Sequence, residues 1–233
     1  MFHVNLPISE IFYSIQGEGS LSGVPSVFVR VSGCNLRCHW CDTPYALNVA
    51  QGKKQSIDNI VKQVLSYQCQ HVVLTGGEPM MHPNIKPLCD AFQSHELHIT
   101  IETSGSLFLP VTCSLMSISP KLSHSTPNSG ELLSYAKQHE KNRINVEVLN
   151  KLINHYDYQL KFVIDGNEDL EEINQLLNQL DQFSGNKVML MPQGIDKESL
   201  SITSPIVAEL CKLTGFRYAP RLHVDLWGNT QGT

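Results

Sequence analysis

Residues 27–41 read Val27-Phe28-Val29-Arg30-Val31-Ser32-Gly33-Cys34-Asn35-Leu36-Arg37-Cys38-His39-Trp40-Cys41. The β-branched run, bounded by Gly33, predicts a strand over 27–31. Three thiols then follow in one short loop with the spacing Cys-x3-Cys-x2-Cys. Thiolates are soft ligands that select zinc, copper(I) or iron–sulfur clusters. Structural zinc normally takes four protein ligands, often as two separated Cys pairs. The remaining cysteines, Cys69, Cys89, Cys113 and Cys211, stand singly within or beside apolar segments and read as small buried hydrophobes. A four-iron cluster on Cys34, Cys38 and Cys41 would keep one iron open, unlike the four-cysteine clusters of electron transfer. The competing reading is a zinc loop completed by His39, Asp42 or a distant side chain.

Outward from this stretch, short apolar runs alternate with helical patterns. Further strands are predicted at Val72–Thr75, His98–Glu102, Leu115–Ser119, Leu160–Ile164, Val188–Met191 and Leu222–Leu226. Ile57, Ile60, Val61, Val64 and Leu65 share one helical face, as do Leu170, Ile173, Leu176, Leu177 and Leu180. Ser204-Pro205 predicts the start of another helix and Gly215 its end. Such alternation implies an α/β fold with a largely parallel sheet and crossover helices. The units are too few for eight strand–helix pairs, so an incomplete barrel is expected, with chemistry at the carboxyl ends of its strands. Residues 1–233 read as one domain, since the polar loop Ser123–Gly130 is too short for a linker.

The chain has 233 residues, 41% hydrophobic and 17% charged, as in ordinary globular domains. A net charge of −5 argues against nucleic-acid binding. Met1–Glu10 lacks a basic segment followed by an apolar one, and no apolar run reaches membrane-spanning length, so a cytoplasmic location is expected. In that reducing setting seven cysteines are ligands, catalytic thiols or core residues rather than a disulfide framework.

Polar motifs recur at the predicted strand ends. Thr75-Gly76-Gly77-Glu78-Pro79 follows one strand; its glycines permit close backbone approach, and Glu78 can accept from an ammonium group. Glu102-Thr103-Ser104-Gly105, Ser119-Pro120-Lys121 and Met191-Pro192-Gln193-Gly194 end three others, and Lys161 sits inside a fourth. Each alone reads as turn chemistry; their repetition at one topological place points to a shared pocket. Ahead of the cysteines, Gln16-Gly17-Glu18-Gly19 predicts a tight turn presenting an amide and a carboxylate, which can read the edge of a guanine- or pterin-like ring. Arg30, a charge in an apolar strand, is either salt-bridged or a clamp for a substrate carboxylate.

The cysteine spacing, with Trp40 as the aromatic before Cys41, closely resembles the radical S-adenosylmethionine superfamily. That resemblance implies an incomplete (βα)6-type barrel, the radical SAM core, carrying a [4Fe–4S] cluster on Cys34, Cys38 and Cys41. It implies S-adenosylmethionine at Trp40, Gly76, Gly77, Glu78, Ser104, Ser119, Lys121 and Gln193. Ser-Ile-Gln-Gly-Glu-Gly, the cysteine run, Cys41-Asp42-Thr43, Thr-Gly-Gly-Glu-Pro and Leu222-His223-Val224-Asp225-Leu226-Trp227-Gly228-Asn229, in that order, resemble the 7-carboxy-7-deazaguanine synthase family over residues 8–229.

The family likeness implies a radical ring contraction of 6-carboxy-5,6,7,8-tetrahydropterin with loss of ammonia, in queuosine and 7-deazapurine biosynthesis. S-adenosylmethionine would be regenerated, and the cofactor would carry the hard chemistry. It places the substrate by Gln16, Gly17, Glu18, Arg30, Thr75, Glu102 and His223, and a magnesium ion on Thr43. A flavodoxin- or ferredoxin-type electron donor and a homodimer are implied as well. Ala46–Gln55 stands where relatives carry a variable insertion, and residues 229–233 receive no role. Two other readings stay open: an activase that makes a glycyl radical on a partner protein, and a non-catalytic metal-binding or redox-sensing module.

Overall fold

The computed structural model describes residues 4–233; Met1–His3, the start of the segment read for a leader, lie outside the described residues. In chain order the strands are β1 (Asn5–Ile15), β2 (Pro25–Val31), β3 (Lys53–Ser56), β4 (His71–Gly76), β5 (His98–Thr103), β6 (Leu115–Ile118), β7 (Tyr158–Ile164), β8 (Val188–Pro192) and β9 (Arg217–Tyr218). The helices are α1 (Ile57–Ser66), α2 (Ile85–Ser94), α3 (Ala136–Asn142), α4 (Val146–His155), α5 (Asp169–Leu177), α6 (Lys197–Thr214) and α7 (Leu222–Trp227).

The sheet runs β3-β1-β2-β4-β5-β6-β7-β8-β9 and does not close. From β2 to β9 every neighbouring pair is parallel, whereas β1 is antiparallel to both β2 and β3. This is the expected incomplete barrel. Helices cross over between most strands, but β5 and β6 are joined without one. Strand alternation divides the side chains into two layers. Val27, Val29 and Val31 of β2, and Leu160, Phe162 and Ile164 of β7, pack in the main core. The intervening Phe28, Arg30, Lys161 and Val163 face an interior cavity.

Three expectations need correction. Leu222–Leu226 is the helix α7, not a strand. A short apolar run cannot distinguish the two by period, and here only Val224 is buried. Ser204-Pro205 does not open a helix: α6 begins at Lys197 behind an Asp196–Ser199 capping box, and Pro205 lies inside it. Pro205 is exposed, so water can satisfy the carbonyl its missing N–H would have met. Of the four isolated cysteines only Cys89 is fully buried; Cys69, Cys113 and Cys211 are half-buried against the core. The strand β1 and the two edge strands β3 and β9 are not expected from the sequence pattern. No described helix is long and apolar enough to cross a membrane.

Candidate active site

The carboxyl ends of the parallel strands surround a cavity of about 460 Å³. Cys34, Cys38 and Cys41 all line it. The loop that carries them leaves β2 through Ser32 and Gly33, and the turn after β4 packs against this exit. Gly77 N–H donates to Val31 O at 3.0 Å and Glu78 N–H to Gly33 O at 2.8 Å. Gly76 has φ +134°, and a Cβ there would stand 2.1 Å from Val31 O. A Cβ on Gly77 would stand equally close to Gly33 O. Only glycine allows this approach, which couples the two motifs physically.

Glu78 is fully buried, and its carboxylate does not line the cavity. Oε1 accepts from Met80 N–H (3.1 Å) and Thr103 Oγ1 (2.7 Å). Oε2 accepts from Ser104 N–H (2.9 Å) and Ser104 Oγ (2.6 Å). Its acceptor positions are thus taken up within the protein, and an ammonium group would have to displace the Ser104 hydroxyl. Trp40, Gly76, Gly77, Ser104, Ser119, Lys121 and Gln193 line the cavity as expected. Lys121 Nζ donates to Ser119 Oγ at 2.8 Å and lies 5.8 Å from the Trp40 ring centroid.

Gln16, Gly17, Glu18, Arg30, Thr75, Glu102, His223 and Thr43 line the same cavity. Arg30 is salt-bridged through Nε to Glu10 Oε1 at 2.6 Å, its register partner on β1. The salt-bridge reading of Arg30 is therefore observed, while its two Nη groups make no hydrogen bond among the described residues. Phe12 and Phe28 stack beside it with centroids 5.0 Å apart. Gln16 is buried and donates to Glu102 Oε1 at 3.3 Å. His223 arrives on α7, which docks on the turn after β1. Leu222 N–H donates to Gly17 O at 2.9 Å, and a Cβ on Gly17 would meet the His223 ring.

Sequence reasoning missed Arg221, and it placed Lys161 near the pocket without its carboxylate partners. Arg221 pairs with Glu18 at 3.2 Å and with Asp42 at 2.5 Å, and also donates to Gly194 O. Lys161 pairs with Glu18 at 2.5 Å and Glu102 at 3.2 Å. Although burial opposes ionisation, Lys161 and Arg221 hold Glu18 well below the usual carboxylate range. Burial also pushes the His223 ring below its ordinary value. No motif announces Arg221; a lone arginine before the terminal motif was its signal. Asn229–Thr233, left without a role, also lines the cavity.

The thiols fit an iron–sulfur cluster by donor chemistry. Burial pushes Cys34 and Cys38 up to about 12 and raises Cys41, so a metal centre must displace their protons. Among the described residues no fourth cysteine lines the cavity.

Residues 28–119 match the model of the Radical SAM superfamily. An open parallel barrel with three thiols and a glycine turn at one cavity defines a radical S-adenosylmethionine protein. Two similar proteins are named 7-carboxy-7-deazaguanine synthase. That of Rhodopirellula baltica is 41% identical over 98% of this chain and 89% of its own length. That of Halobacterium salinarum is 42% identical over 98% and 93%. The chain belongs to the 7-carboxy-7-deazaguanine synthase family. The crystal structure of QueE from Escherichia coli, 24% identical, matches with a TM-score of 0.73 over 93% of this chain and 94% of that one, a likeness of fold. Membership makes the chain a radical enzyme that acts on a small molecule with S-adenosylmethionine and a [4Fe–4S] cluster.

Proposed function

We propose that this chain converts 6-carboxy-5,6,7,8-tetrahydropterin into 7-carboxy-7-deazaguanine with loss of ammonia, as a carbon–nitrogen lyase of queuosine and 7-deazapurine biosynthesis. The observation that carries the reading is one cavity lined together by three thiols, the turn and strand that carry Glu18 and Glu102, and Arg30 with its uncommitted Nη groups. Carboxylates accept the N–H donors of an aminopyrimidinone edge, and a guanidinium forks onto a carboxylate. Gln16 and Thr75 add polar contacts around the ring, and Phe12 and Phe28 add an aromatic wall. An activase for a partner protein, or a redox-sensing module, has no use for such a ring-sized polar lining.

Cys34, Cys38 and Cys41 would hold the cluster. Trp40, Gly76, Gly77, Ser104, Ser119, Lys121 and Gln193 would surround S-adenosylmethionine, with Glu78 ordering Ser104. Together the bound cofactors supply the radical that activates the substrate ring. The protein's part is to orient the ring, keep the Glu18 carboxylate ionised and exclude water.

For magnesium, Thr43 offers a hydroxyl in the cavity, 3.9 Å from Cys41 Sγ and unused as a helix cap. Magnesium keeps waters and borrows substrate oxygens, so this single protein donor fits if the substrate supplies the rest. The family likeness extends the reading to His223 as a substrate contact, a flavodoxin- or ferredoxin-type donor, a homodimer and a cytoplasmic setting.

The test is anaerobic reconstitution with iron and sulfide, then incubation with S-adenosylmethionine, reductant and the carboxypterin. Appearance of the deazaguanine acid is expected. Formation of 5′-deoxyadenosine without that product would reject the substrate while leaving the superfamily chemistry in place.

A further inference from the structure

Lys161 is central to β7, 2% exposed, and belongs to none of the motifs that mark the family. Its Nζ lies 2.5 Å from Glu18 Oε2 and 3.2 Å from Glu102 Oε2. These carboxylates come from separate elements: Glu18 from the turn after β1 and Glu102 from β5. Gln159, two residues earlier on the same face, secures both neighbours. Its Oε1 accepts from Ser20 N–H at 2.9 Å, and its Nε2 donates to Ser117 Oγ at 2.8 Å. Ser117 Oγ in turn donates to Glu102 Oε2 at 2.9 Å. Strand β7 therefore fixes the position of the substrate wall from beneath.

We infer that Lys161 is a positioning residue that holds Glu18 and Glu102 together as ionised acceptors for the N–H edge of the substrate ring. This rests on the carboxypterin reading above. Two carboxylates this close to one ammonium would repel one another without it, and burial would drive one of them to take a proton. A protonated carboxyl presents a donor where the ring needs an acceptor. The other groups facing the pair are Arg221 and His223 at Glu18, and Gln16 and Ser117 at Glu102. Asp42 stands behind Arg221. None of these bridges the two carboxylates as Lys161 does.

The test compares Lys161→Met with the unaltered enzyme, reconstituted with its cluster. KM for the carboxypterin should rise by about tenfold or more, the scale of a hydrogen bond to a charged group. In the variant that KM should fall as pH rises and the stranded carboxyl ionises. In the parent, where Lys161 and Arg221 keep Glu18 ionised, it should vary less. Iron content reports whether the variant folds. An unchanged KM, or a raised KM indifferent to pH, overturns the proposal. If Lys161→Met takes up no iron, Lys161→Gln, which keeps N–H donors without the charge, replaces it. Loss of iron there too would make Lys161 structural and also overturn the proposal. Failure of the unaltered enzyme to turn over the carboxypterin would instead reject the substrate assignment.

Discussion

The backbone N–H of Arg37 donates to Nδ1 of His139 at 3.1 Å, so a histidine on α3 anchors the middle of the cysteine loop. Because Nδ1 accepts, the ring proton resides on Nε2, which faces Ser125 Oγ at 2.9 Å. That hydroxyl passes its own proton to Leu122 O at 2.6 Å. Ser125 O also accepts His39 N–H at 2.8 Å, so one short turn is bonded to the loop at two points.

Replacing His139 with Ala strands the Arg37 amide in a partly buried place and removes one of the two partners of the Ser125 hydroxyl. We expect a loss of about 1–3 kcal/mol in unfolding free energy and lower iron uptake on reconstitution. Denaturant titration and iron analysis check both.

Burial and the nearby Arg143 charge lower His139 to about 4. In the unfolded chain a histidine titrates near 6.5. Between these values the unfolded state binds a proton that the folded state refuses. Stability from this group is full above about pH 6.5 and is lost as pH falls towards 4. The pH dependence of the urea midpoint should be shallower in His139→Gln than in the parent across that window.

Arg221→Lys keeps the charge but loses the fork that reaches Glu18, Asp42 and Gly194 O together. We expect a lower melting temperature and a raised KM for the substrate, with the cluster's absorbance retained. Loss of the cluster instead would mean that the Asp42 contact chiefly shapes the cysteine loop.

Single Cys→Ala changes at positions 34, 38 and 41 should each abolish stable iron loading. Cys89→Ala should keep it, at a cost of about 1 kcal/mol for the lost core sulfur. Iron-to-protein ratios and thermal melts distinguish the two outcomes.

The parallel core and the cavity-lining motifs were legible because each is local: a strand, then a turn whose chemistry its own residues carry. Gly76 and Gly77 declare in sequence that backbone will approach backbone. What stayed hidden depends on distant chain. Nothing near Lys161 or Arg221 says that Glu18 will sit between them, and nothing near Glu78 says that Ser104 and Thr103 will occupy its carboxylate. The helix at Leu222–Trp227 was misread because its apolar residues are too few to show a period. The strand β1 escapes the pattern because its polar residues, Glu10 and Ser14 among them, interrupt the alternation of a half-buried strand.

Ribosomal synthesis delivers Glu18 early and Arg221 only 203 residues later. Until then the emerging polypeptide holds an acidic turn with no guanidinium to meet it, and α7 is not yet there to dock on that turn. The binding chamber is thus completed long after its first residues are made, so a translation product that stops short of Arg221 lacks the closing half of its own substrate wall.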